Sequence, residues 1–124
     1  MHYIRVALLL SLSVAVRADL LLAYREHEAL VKDYPCRDPQ PRVVELEEVI
    51  GEDVLKEETN GCIEKISPTV TMLHRCYSAG CCQNPYQKCM PVDTDDVTLT
   101  FLITGDTIKY FEVTAVNHTR CGCA

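Results

Sequence analysis

The sequence has no tryptophan, only two phenylalanines and only five glycines in 124 residues, with six tyrosines completing the aromatics. So little bulky apolar material cannot fill a large globular core, and a deep enzyme cleft is disfavoured. No run of basic residues occurs anywhere, and the chain stops at Ala124 directly after its last cysteine, which argues against a heparin-binding tail. The formal charge is −6; nucleic acid, polyanionic sugars and anionic membranes would repel it on average. Long apolar runs are also missing. The longest, Val6 to Val16, has eleven residues including Ser11 and Ser13, against about 20 needed to span a bilayer. There is no internal repeat and no low-complexity stretch.

What is present begins with a leader. Arg5 precedes the apolar run, and Val16-Arg17-Ala18 fits the small-residue rule at a cleavage site, so residues 1–18 read as a signal peptide and not as a membrane anchor. Removing them leaves 106 residues (124 − 18), enough for one domain, with a charge of −8 once Arg5 and Arg17 are gone. Residues 19–35 place Leu20, Leu21, Ala23, Tyr24, Leu30, Val31 and Tyr34 at rough three-to-four spacing, predicting an amphipathic N-terminal helix stopped by Pro35. So short a helix must lay its apolar side on this chain or on a second copy. Val43 to Leu46 reads as strand, Glu47 to Leu55 has helical spacing interrupted by Gly51, and a further short strand is expected before Glu58. Val70 to Arg75 is another candidate strand.

Val97, Leu99, Phe101 and Ile103 alternate with Thr98, Thr100 and Leu102, and the two-residue period resumes over Ile108 to Val113, so a hairpin with the four-residue loop Thr104–Thr107 is expected. The acidic residues Asp93, Asp95 and Asp96 read as a solvated turn before it. They lack the glycine and distal glutamate of a calcium loop. One thin layer cannot bury Val97, Leu99, Phe101, Ile103, Phe111 and Val113 together, so surplus apolar surface is expected to seek a partner. Asn117-His118-Thr119 is an N-glycosylation acceptor pattern at Asn117.

The eight cysteines, Cys36, Cys62, Cys76, Cys81, Cys82, Cys89, Cys121 and Cys123, make up about 7.5 percent of the 106 residues, near the roughly 8–10 percent of a disulfide-built secreted scaffold. An even count of eight permits 105 fully paired connectivities. Cys81 and Cys82, adjacent on an extended segment, point to opposite faces, whereas Cys121 and Cys123 point the same way. Zinc would need tight thiolate pairs matched by a second pair or by histidines. The gaps here do not supply them and His2, His27, His74 and His118 are scattered, so no metal and no cofactor is expected. No nucleophile has a plausible local base, and the chain is not read as an enzyme.

Arg75-Cys76-Tyr77-Ser78-Ala79-Gly80-Cys81-Cys82, six residues to Cys89, Pro91, and the closing Cys121-Gly122-Cys123 resemble the cystine-knot core of the platelet-derived and vascular endothelial growth factor family. Cys36 with Pro39 and Pro41-Arg42-Val43-Val44-Glu45-Leu46 resembles the family's first knot cysteine and first strand. Two departures stand out. Four residues, Tyr77 to Gly80, separate Cys76 from the adjacent pair where two are usual, as in invertebrate-like members. Val70 stands where many members have an additional cysteine, while Cys62 lies eight residues earlier.

The resemblance implies a small disulfide-rich all-β fold over residues 36–124, a cystine-knot cytokine with long two-stranded hairpins and a short N-terminal helix. It implies bridges Cys76–Cys121 and Cys82–Cys123 closing a ring of ten residues, larger and looser than the usual one, with Cys36–Cys89 threading it. Cys81 and Cys62 are left as interchain disulfide candidates, an intrachain Cys62–Cys81 bridge being the alternative. The implied function is that of a secreted growth factor, a homodimer that crosslinks receptor tyrosine kinases through their immunoglobulin-like ectodomains. Candidate receptor contacts are Tyr34, Ile103 and Ile108, each with a dimer-core role as its alternative. The competing reading is a secreted receptor-binding antagonist or decoy built on the same knot.

Overall fold

The computed structural model describes the backbone of residues 2–124 and the side chains of residues 15–124. Residues Met1–Pro35 and Cys36–Ala124 form two compact units.

The first unit is one helix, α1 (His2–Lys32). It runs without a break through the expected boundary at Ala18, because no glycine or proline interrupts residues 2–34. On its polar side Tyr24 donates to Glu28 (2.8 Å) and Lys32 donates to Glu28 (3.2 Å), a ladder at four-residue spacing. Leu20, Leu21, Leu22, Tyr24 and Leu30 are exposed. Most of the expected leader lies outside the residues whose side chains are described. Among the described residues no helix is long and apolar enough to cross a membrane.

The second unit is mostly β. Its elements are β1 (Gln40–Glu45), α2 (Leu46–Ile50), α3 (Glu52–Thr59), a 3-10 turn (Ile63–Lys65), β2 (Ile66–Ser67), β3 (Val70–Arg75), β4 (Cys89–Ile103) and β5 (Lys109–Cys123). Antiparallel β1 and β3 make one small sheet, with Val43 opposite Met72. The other sheet has the order β2-β4-β5 and is dominated by the long β4–β5 ribbon.

Three expectations are corrected here. The short strand foreseen after Leu46 is helix α3. Gly51 stops α2 at φ 85° and ψ 152°, a region closed to side-chain-bearing residues, and Glu52 and Asp53 then start a new helix whose buried side chains, Leu55 and Thr59, are one turn apart. The turn foreseen at Asp93, Asp95 and Asp96 is strand: Asp93 faces Arg120, Asp95 faces Asn117 and Asp96 faces Val116 across β5. Asp93 and Arg120 pair at 2.8 Å beside a register irregularity that displaces Val92 from the ladder. The connecting loop is Thr104 to Ile108, one residue longer than expected, since Ile103 pairs with Lys109.

The core follows from the alternation. Leu99 faces Val113, Phe101 faces Phe111 and Val97 faces Ala115, so one side of the ribbon is apolar and the other carries Thr98, Thr100, Glu112 and Thr114. The helices α2 and α3 cover the apolar side: Leu46 and Leu55 pack with Ile66, Phe101, Ile103 and Val113. A second cluster of Val44, Leu73 and Ala115 joins β1 and β3 to the ribbon. The ribbon residues expected to await a partner are thus buried or half-buried within the protomer. The exposed apolar side chains lie elsewhere, at Val43, Met72, Met90, Val92, Ile108 and Tyr110.

Candidate functional site

Three disulfides sit together at one end of the ribbon: Cys36–Cys89, Cys76–Cys121 and Cys82–Cys123, with Cα–Cα separations of 5.4, 5.5 and 5.8 Å. Cys89 and Cys123 are opposite one another at the start of β4 and the end of β5. Lys88 and Ala124 exchange backbone hydrogen bonds of 2.9 and 3.0 Å just beyond them. The Sγ of Cys36 lies within 4.8 Å of the Sγ atoms of both Cys82 and Cys123, so the first bridge lies close against the third. All three sulfurs are oxidised and have no thiolate to give a metal.

The four residues between Cys76 and Cys81 form a turn within the ring. Ala79 N–H donates to the Cys76 carbonyl (3.0 Å), so the segment folds on itself as a turn. Ser78 takes the left-handed conformation (φ 60°) and Gly80 a φ of 152°. Ala79 is thereby turned inward and buried with Cys76 and Cys89. From β1, the Arg42 guanidinium donates to the Ser78 carbonyl (2.9 Å) and pins the turn.

A second set of contacts joins β3 to β5 beside the knot through side chains. The His74 N–H donates to Asn117 Oδ1 (2.9 Å), Arg75 donates to the Val116 carbonyl, and the Cys76 N–H donates to His118 Nδ1 (2.9 Å). Burial, with the Arg75 charge second, pushes the His118 imidazole below its ordinary value and keeps it neutral. Sequence reasoning missed this network. Its signal was Arg75 beside Cys76 and the histidine following Asn117, but nothing local said that they meet. Asn117, the candidate glycan acceptor, is half-buried in β5 and uses Oδ1 here, not the nitrogen that a glycan would take.

The remaining candidates are dispersed. Ile103 is only 7% exposed and belongs to the core beside Phe101, so its side chain is not a surface contact. Its strand alternation pointed it inward, under α3. Ile108 is 68% exposed in the ribbon loop, and Tyr34 is 52% exposed after α1. The loop is fastened to the α3 side: Thr104 N–H donates to the Lys65 carbonyl (2.8 Å), and Lys109 pairs with Glu58 (2.8 Å). Cys62 and Cys81 are both free and half-exposed.

These two thiols are far apart in the protomer. The Cys81 carbonyl accepts from Cys36 N–H at the knot, whereas Cys62 begins the turn leading into β2, which pairs with the far end of β4 at Leu102 and Ile103. The 15 residues of β4 put roughly 45 Å between those ends. An intrachain bridge, which needs a Cα separation of about 4.4–6.8 Å, is therefore closed off.

No protein-family model matches the chain. Over 73 residues it is 29% identical to vascular endothelial growth factor A-A of Danio rerio, a match covering 57% of this chain and 38% of that protein. In structure it is similar to the Orf virus NZ2 variant of VEGF-E, with a TM-score of 0.56 and 24% identity over 77% of this chain and 90% of the other. The structural likeness shows a shared fold, that of a cystine-knot growth factor. The chain is a small, disulfide-rich cystine-knot protein, and it spans about two fifths of the length of the curated relative it matches.

Proposed function

We propose that this chain is a secreted growth factor acting as a two-ended homodimeric clamp that draws together the immunoglobulin-like ectodomains of receptor tyrosine kinases. The observation that carries the reading is the knot itself: three interlocked bridges fix one end of a ribbon whose loop is held out at the other. Such a frame has no substrate to convert; it holds surfaces at set distances. A twofold pair would present each receptor patch twice, and the relatives are growth factors by name.

Support for a second copy comes from what the protomer leaves uncovered. Val43 (65% exposed) lies opposite Met72 (55%) on the outer side of the β1–β3 sheet, and Met90 and Val92 lie outside on the ribbon. Cys62 and Cys81, at opposite ends of one protomer, would be brought together by a partner lying antiparallel to it, giving two symmetric Cys62–Cys81 bridges. Receptor contacts would come from Ile108 on the ribbon loop and Tyr34 after α1.

Sedimentation of the secreted protein with and without reductant, paired with receptor phosphorylation on responsive cells, tests this. The expected result is a species of twice the protomer mass that falls to protomer mass in Cys81→Ser, with phosphorylation driven by the dimer. A protomer under both conditions that binds cells without phosphorylation would replace this reading with the antagonist one.

A further inference from the structure

We propose that His118 and the Cys76 amide form an acid-opened latch holding β3 to β5 at the mouth of the knot. Strands β3 and β5 belong to different sheets. Beside the knot, the bonds joining them run through the side chains of Asn117, Arg75 and His118. Two of these, Asn117 to His74 and Arg75 to Val116, are indifferent to pH across the neutral range. The third is not. Cys76 N–H donates to Nδ1, and an imidazole can accept there only while that nitrogen carries no proton. Protonation turns the acceptor into a donor facing a donor, and leaves the amide of a fully buried knot cysteine without its partner.

The groups around His118 set the direction. From β3 the charged group acting on it is Arg75, and Arg120 follows on its own strand. From β4 it faces Thr94, flanked by Asp93 and Asp95. Both carboxylates are exposed, and Asp93 is engaged by Arg120. The nearest charge acting on the ring is therefore the Arg75 guanidinium, which opposes a second positive charge. Arg75 also bonds the Val116 carbonyl, so a charged imidazole pushes against the neighbouring tie as well as losing its own.

The folded imidazole titrates below its ordinary value near 6.5, so the latch is fully closed above that pH and is lost as pH falls from about 6.5 through the lower folded value. Opening exposes the entry to the ring without breaking a disulfide. Because the device lies inside the protomer, it stands whether or not the clamp reading does.

Amide hydrogen exchange of the full-length oxidised protein, read by NMR between pH 7.5 and 5 and corrected for intrinsic exchange rates, tests it. Protection at Cys76 N–H should be constant at the upper end. It should then fall by about tenfold per pH unit between the ordinary and the folded values, tracking the titration of the His118 ring. The variant His118→Asn places an oxygen where Nδ1 was, accepts the same bond and does not titrate, so its Cys76 protection should stay flat. Flat protection in the wild-type protein, or an equal fall in His118→Asn, overturns the latch. Should the variant fail to fold, a mismatch between the Cys76 transition and the His118 ring titration in the wild-type protein overturns it equally.

Discussion

Gly51 separates α2 from α3 at φ 85° and ψ 152°, and a Cβ built there meets nothing within 4 Å. Any effect of Gly51→Ala is therefore backbone strain and not a clash. Gly51→Ala should lose about 1–3 kcal/mol, read as a shift of the urea midpoint of the oxidised protein; an unchanged midpoint would mean that the break between the helices is not enforced there. Single residues also show where sequence reading stops. Alternation correctly set Ile103 and Phe101 on one face, but alternation says which side a residue takes and not what covers that side. Alternation alone thus leaves Ile103 a candidate contact, whereas Leu55 of α3 and Ile66 enclose it. His118 is the opposite case. As one of four scattered histidines it carried no signal, and its role appears only when β3 is laid beside β5.

At the scale of elements, the ribbon is longer than its propensities suggest. Aspartates disfavour strands, and three of them between Cys89 and Val97 read as a turn. The ladder nevertheless continues through them, because Cys89, Cys121 and Cys123 clamp the proximal end while the apolar pairs of the distal end hold the other. The helices α2 and α3 were harder to foresee. Val49, Val54 and Leu55 fit strand or helix in so short a window, and the choice is settled by docking on the ribbon face. Phe101 is the centre of that contact. Truncating it, Phe101→Ala, should cost about 3–5 kcal/mol in chemical unfolding with the disulfides intact. A loss below about 1 kcal/mol would show that the knot alone maintains the fold and that the layer of α2 and α3 on the ribbon adds little.

At the scale of the molecule, the fold class and strand β3 were legible from the sequence, and so was the motif around Cys76, Cys81 and Cys82. The pairing came with the family resemblance; spacing alone left many connectivities open. The two extra residues within Tyr77–Gly80 could not be placed by counting, because the segment folds back as a turn. With few large apolar residues, the domain leans on closure of chain loops spanning 53, 45 and 41 residues, worth about 4 kcal/mol each by the loop-entropy relation. The central claim is that these bridges interlock. Stepwise partial reduction and alkylation, followed by mass spectrometric identification of the linked peptides, tests it most directly. The expected links are Cys36 with Cys89, Cys76 with Cys121 and Cys82 with Cys123, with no link between Cys62 and Cys81 of one chain. A protein in which Cys36 is joined to any other cysteine would contradict it.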